Sequence, residues 1–222
     1  MKTSLAGLAT AILILPLASF AATTTAFYQT GPGLGLDLPD NNPVGVTSSL
    51  EAVSGDTLLG FVPDAGGIIE DVEVVISLDH TFIGDLIITL TSPEGTMITL
   101  LDRPVGDGFS SDSSNLQGQS FLYFTDRSII SAEDAGAGCD TDQIVGVSCL
   151  SIFAPIDATT AFAGENLLGT WTLGVSDNAA LDQGDLNGWY IEIDFQPVPL
   201  PASVWLLGAA LGGLSFMRRR AA

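Results

Sequence analysis

Basic residues are scarce in this sequence. Of 222 residues only six are Lys or Arg and one is His, against 26 Asp and Glu. Four of the six basic residues lie at the ends, as Lys2 and Arg218, Arg219 and Arg220. Between Asp37 and Asp194, Arg103 and Arg127 stand alone against all 26 carboxylates, a formal charge of −24. So acidic a surface makes nucleic acid and anionic lipid poor partners. Divalent cations and basic polymers suit it better, although acidity of this kind most often serves only solubility. The chemical motifs are missing too: no H-E-x-x-H, no G-x-S-x-G elbow and no phosphate loop. His80 is the only histidine, so a Ser-His-Asp triad with Asp85 would depend on a serine that nothing in the sequence singles out.

Long apolar runs are absent from the middle of the chain and occur at both ends. At the N-terminus Lys2 supplies a positive start, Leu5 to Leu17 an apolar core, and Ser19-Phe20-Ala21 a small-x-small cleavage site. Residues 1–21 therefore read as a signal peptide for export and cleavage by signal peptidase. At the other end Val198-Pro199-Leu200-Pro201-Ala202 runs into Ala202 to Met217, 16 uncharged residues, and then into the three arginines. As a helix those residues span about 24 Å, a little short of the ~30 Å hydrocarbon core, a gap that bilayer thinning closes. The arginines hold the C-terminus in the cytoplasm and leave everything before Val198 outside. A permanent anchor would have the same physics.

The pentapeptide, the uncharged helix carrying Trp205 and the terminal Arg cluster together resemble the PEP-CTERM sorting signals of Gram-negative bacteria, in the V-P-L-P-A variant. The resemblance implies an exosortase-type enzyme that processes the tail, with Val198 to Ala202 as its recognition element and Arg218 to Arg220 as the cytoplasmic stop. The expected route is an inner-membrane-anchored precursor with its domain in the periplasm, followed by release to the cell surface or extracellular matrix. In that oxidising setting Cys139 and Cys149, ten positions apart in one acidic loop, are expected to form a local disulfide, worth roughly 3 kcal/mol in the loop-entropy model. Their spacing is not C-x-x-C, which disfavours a redox or metal role.

Between the two ends, residues 22–37 contain Gly31-Pro32-Gly33-Leu34-Gly35 and read as a flexible segment, leaving 38–197 as one domain. Its periodicity is two. Val72, Val74, Ile76 and Leu78 alternate with polar or smaller neighbours. Leu86, Ile88 and Leu90 repeat the pattern, and Met97 to Leu101 continues it after Ser92-Pro93-Glu94-Gly95, a turn with Pro second and Gly fourth that predicts a hairpin. Trp171, Leu173 and Val175, and later Trp189, Ile191, Ile193 and Phe195, mark half-buried antiparallel strands. No capped helical stripe interrupts them, so the fold class is all-β and the architecture a sandwich.

Several separated segments also resemble one family, in its order. Asp79-His80-Thr81-Phe82-Ile83-Gly84-Asp85-Leu86, Leu90 to Thr96, Gly164 to Leu173 and Ser176-Asp177-Asn178 through Gly188-Trp189 look like the P domain, or P/Homo B domain, that follows the protease of kexin- and furin-like convertases. With Leu38 to Pro43 included, the resemblance covers about residues 38 to 195. It implies a jelly-roll β-sandwich that stabilises or assists rather than cuts, and it implies that His80 and Asp85 fix a turn. The expected function is a non-catalytic surface or matrix protein. Its alternative is an accessory or binding module for a separate serine protease or a surface polymer. Calcium is the one inorganic ligand to weigh: Asp177, Asn178, Asp182 and Asp185 crowd one short loop with the oxygens that ion takes, and the same residues are what ordinary turns are made of. Asp134, Asp140 and Asp142 form a weaker acidic group.

Overall fold

The computed structural model describes residues 22–31, 33–104, 116–132 and 150–198. Residues 1–21, read above as a signal peptide, the tail beyond Val198, Cys139, Cys149 and the acidic group at Asp134, Asp140 and Asp142 lie outside the described residues. Within them the chain is all-β, and no helix is long and apolar enough to cross a membrane.

Two sheets face each other across one core. The larger is ordered β1 (Thr24–Gln29), β12 (Gly184–Pro197), β6 (Gly67–His80), β9 (Leu116–Phe124) and β10 (Leu150–Phe153), with β2 (Leu36–Leu38) beside the start of β12. Its pairings are antiparallel except between β9 and β10. The smaller sheet runs β3 (Asn42–Ala52), β11 (Gly169–Asp177), β7 (Leu86–Thr91) and β8 (Met97–Asp102), antiparallel throughout. A two-residue pair, β4 (Gly55–Asp56) and β5 (Phe61–Val62), forms a separate ribbon.

Alternation builds the core, since successive side chains on a strand point to opposite faces. Val72, Val74, Ile76 and Leu78 of β6 are sealed against Ile191, Ile193 and Phe195 of β12 on one side and Trp171, Leu173 and Leu90 of the smaller sheet on the other. The hairpin between β7 and β8 closes as its turn residues require: the Gly95 N–H donates to the Ser92 carbonyl at 3.0 Å. Met97 is exposed, and a register shift between Ile88 and Thr89 moves the buried set of β8 to Ile98, Leu100 and Leu101.

One boundary differs from the sequence reading. Residues 22–37 are not a detached leader to the domain. β1 pairs with β12 over six residues and buries Ala26 and Tyr28, and β2 pairs with Gly184 to Leu186. Only two of the six β1 side chains enter the core, too few for periodicity to announce a strand.

Candidate functional site

The sequence-predicted polar residues fall at one end of the sandwich, where β6 and β11 finish. His80 and Asp177 both occupy inward positions and are buried, with His80 Nε2 3.4 Å from Asp177 Oδ2. The other ring nitrogen, Nδ1, lies 2.8 Å from the Phe82 carbonyl and 3.1 Å from the Phe82 amide nitrogen. The histidine therefore fixes the turn after β6. Gly184, opposite His80 in the register, is required by that ring: a Cβ there would stand 2.5 Å from His80 Cδ2 and 2.3 Å from the Asp79 carbonyl oxygen.

The four residues weighed for calcium are divided rather than gathered. Asp177 is turned inward to His80, and its Oδ1 accepts the Ala179 N–H at 3.1 Å. Asn178 Nδ2 donates to the Asp85 and Ser176 carbonyls and to Ser176 Oγ. Asp182 Oδ1 accepts from Thr81 Oγ1 at 2.8 Å and Asp182 faces Asp85, whose carboxyl is pushed up by burial and then by the charges of Asp182 and Asp177. Asp185 faces the other way, toward Asp37 and Asp79, and is raised by burial and by Asp37. Among the described residues no group of three or more His, Cys, Asp or Glu is arranged to hold a metal ion. These oxygens do the work of turns and strand ends.

The outer face of the larger sheet presents a different arrangement. Register places the outward side chains in rows across the strands. Thr25, Asp194 and Asp71 form one row, and Phe27, Glu192 and Glu73 the next. Gln29, Tyr190, Val75 and Tyr123 form the third, and Ser77 and Phe121 lie beyond it. Acidic rows thus give way to aromatic ones along β6 and β12. Two adjoining hollows follow this division. One, about 230 Å³, is lined by Asp71, Glu73, Glu192, Asp194 and Arg127. The other, about 280 Å³, is lined by Gln29, Val75, Ser77, Phe121, Asn187 and Tyr190 among others.

In the acidic half, Asp194 stands directly opposite Asp71, and Glu192 opposite Glu73. Like charges so placed repel. Arg127 offsets part of this, with Nη1 2.7 Å from Glu73 Oε1 and Nη2 2.8 Å from Asp71 and 3.3 Å from Asp194. Its side chain remains 61% exposed. Glu73 is buried and satisfied by Arg127, Thr125 Oγ1 at 3.1 Å and the Tyr123 hydroxyl, and burial together with that carboxylate pushes the Tyr123 hydroxyl upward. Glu192 makes no ion pair with Arg127, and burial followed by the charges of Glu73 and Asp194 raises its carboxyl. A carboxyl raised on folding holds its proton more tightly in the native state, so stability falls as pH climbs from the ordinary carboxylate range through the raised value. Glu192→Gln is therefore expected to be more stable than the parent at neutral pH. Thermal melts across pH should show the difference vanishing below the ordinary carboxylate range, where the unfolded chain is protonated as well.

None of this face forms a sequence motif, because its residues come from β1, β6, β9 and β12 and meet only through register. The available signal was parity: Asp71, Glu73, Glu192 and Asp194 occupy the polar positions of strands whose alternate residues are core.

The family model described as Proprotein convertase P-domain matches residues 69–193, from β6 through most of β12. None of the curated proteins matches the chain. Among solved structures the chain is similar to the serine protease of Aeromonas sobria, both by itself and in its complex with a chaperone. Identity is 19% in each case, with TM-scores of 0.47 and 0.48 and coverage of 83% and 80% of this chain. The matches take in 28% of each of those longer chains.

Proposed function

The chain belongs to the proprotein convertase P-domain family, and on that premise we propose that it is an exported, non-catalytic surface or extracellular-matrix protein, a P-domain jelly roll delivered through an exosortase-type C-terminal tag. The order of the tail carries this reading: Val198 to Ala202, an uncharged segment to Met217, then Arg218 to Arg220. The order of residues 1–21, Lys2, the apolar run Leu5 to Leu17 and then Ser19-Phe20-Ala21, supports export. The non-catalytic part is supported by His80, whose side chain is fully buried and committed to Phe82 and Asp177; a general base must reach its substrate.

Intact mass of the mature protein in surface fractions tests the reading. The expected mass lacks residues 1–21 and everything after about Val198. A mass retaining Trp205 to Ala222 would mean a permanent anchor and would sink the processing step. Deleting residues 198–222 is expected to abolish processed surface delivery and leave the domain in the periplasm or medium; unchanged surface delivery would overturn the role of the tail. Family membership also favours a second reading, an accessory module for a separate serine protease, which predicts co-purification with that enzyme.

A further inference from the structure

The outer face of the larger sheet has features that packing does not require. In the 280 Å³ hollow, the side-chain polar groups of Gln29, Ser77 and Tyr190 make no hydrogen bond among the described residues. They sit beside two aromatic rings, Tyr190 itself and Phe121, and Tyr190 is steadied by Phe27 at a ring-centroid distance of 5.0 Å. Unused hydroxyl and amide groups around an aromatic surface suit a ligand whose own surface alternates apolar and hydroxylated patches. A sugar ring has that surface. Along β6 the same face continues from Ser77 through Val75 and Glu73 to Asp71, three same-face steps or about 20 Å at strand spacing, long enough for a chain of several rings rather than a single one.

Charge decides which kind of sugar. The hollow next along the strands holds two carboxylate pairs in direct cross-strand opposition and one largely exposed arginine. That repulsion is relieved by an additional cation, and Glu192 is the carboxylate Arg127 does not pair. An anionic polysaccharide would be repelled here and a neutral one would leave the repulsion in place. We propose that this face binds an amino-sugar glycan, with sugar rings lying on Tyr190 and bonded through Gln29 and Ser77, and the ammonium of an adjoining unit held by Glu192 and Asp194. The inference rests on the exported reading for the ligand to be within reach, and it names the surface polymer such a protein would meet.

The test titrates the full chain, held in mild detergent, with a hexamer of β-1,4-linked glucosamine. Its N-acetylated counterpart and hexalysine are titrated alongside. The expected result is saturable binding of the glucosamine hexamer, weakened about tenfold or more, ~1.4 kcal/mol, by Tyr190→Ala and by the pair Glu192→Gln and Asp194→Asn. The N-acetylated hexamer should bind more weakly but keep its dependence on Tyr190, and hexalysine should show none. Gln29→Ala, an exposed substitution, should weaken both sugars without altering the melting temperature. Failure of either sugar to saturate overturns the proposal. So does glucosamine binding indifferent to Tyr190 and Gln29, which would reduce it to general attraction by the acidic surface. Hexalysine binding with the same Tyr190 dependence would assign the face to a basic polypeptide instead. Because binding is read on purified protein and export on cell fractions, failure of one leaves the other standing.

Discussion

Replacing Trp171 with alanine is expected to cost about 3–5 kcal/mol, the range for a large aromatic removed from a closed core, and to lower the melting temperature by roughly 6–20 °C for a domain of this size. Trp171 is fully buried on β11, a strand with neighbours on both sides. Its ring meets Phe162 edge-on at 5.1 Å, and its indole N–H donates to the Leu167 carbonyl at 3.1 Å. That carbonyl belongs to a segment bound to the opposite sheet: Ile69 N–H donates to Glu165, Gly164 N–H to Ile69, and Leu167 N–H to Gly67. The indole therefore joins the smaller sheet to the chain that closes the larger one. Trp171→Phe keeps most of the volume and loses the donor, so its cost should fall nearer the 1–3 kcal/mol of one unsatisfied buried group. Urea denaturation of the two variants measures both; a loss under about 1 kcal/mol for Trp171→Ala would show that the core collapses around the gap and that the bridge is not needed.

The same tryptophan shows what the sequence makes legible. Its alternation with Leu173 and Val175 is a physical consequence of a strand with one wet face, and β6, β7, β11 and β12 were readable on that ground alone. The Ser92 to Gly95 turn was readable because proline and glycine carry their backbone preferences wherever they stand. Edge and polar strands were not. β1 and β3 bury few side chains, and β4 and β5 have two residues each, so tertiary pairing rather than local pattern creates them. Register is also invisible in one dimension. Glu73 and Glu192 lie 119 positions apart and become direct neighbours only when β6 and β12 pair.

The calcium set shows the converse, residues close in sequence that the fold separates. Parity again explains it. Asp177 continues the Trp171, Leu173, Val175 series and so points into the protein, while Asp182 and Asp185 sit across a turn and at the start of β12. Counting oxygens along a loop takes no account of which face each residue is on, and strand phase would have set Asp177 apart from the others.

That inward carboxylate leads to the second large effect. Asp177→Ala is expected to destabilise the domain by about 2–4 kcal/mol, from the roughly 1–3 kcal/mol lost for each hydrogen-bonding group left without its partner. Its removal leaves the buried His80 Nε2 without its partner and the half-buried Ala179 N–H without its acceptor. The loss should spread to the loops that the pair holds together. His80 fixes the turn at Phe82, from which Thr81 bonds Asp182 and Gln183, and the Asp85 carbonyl accepts the Asn178 N–H at 2.8 Å. Hydrogen exchange should therefore quicken first at Thr81, Asp85, Asn178 and Gln183 rather than along β6. Asp177→Asn preserves volume and an oxygen for the Ala179 N–H, so it should cost clearly less than alanine, and an amide that can donate to the ring tests which His80 nitrogen carries the proton. If Asp177→Ala lost less than about 1 kcal/mol, or if protection fell evenly over the whole domain, the pair would be a local filler and the two loops would be held by their other hydrogen bonds.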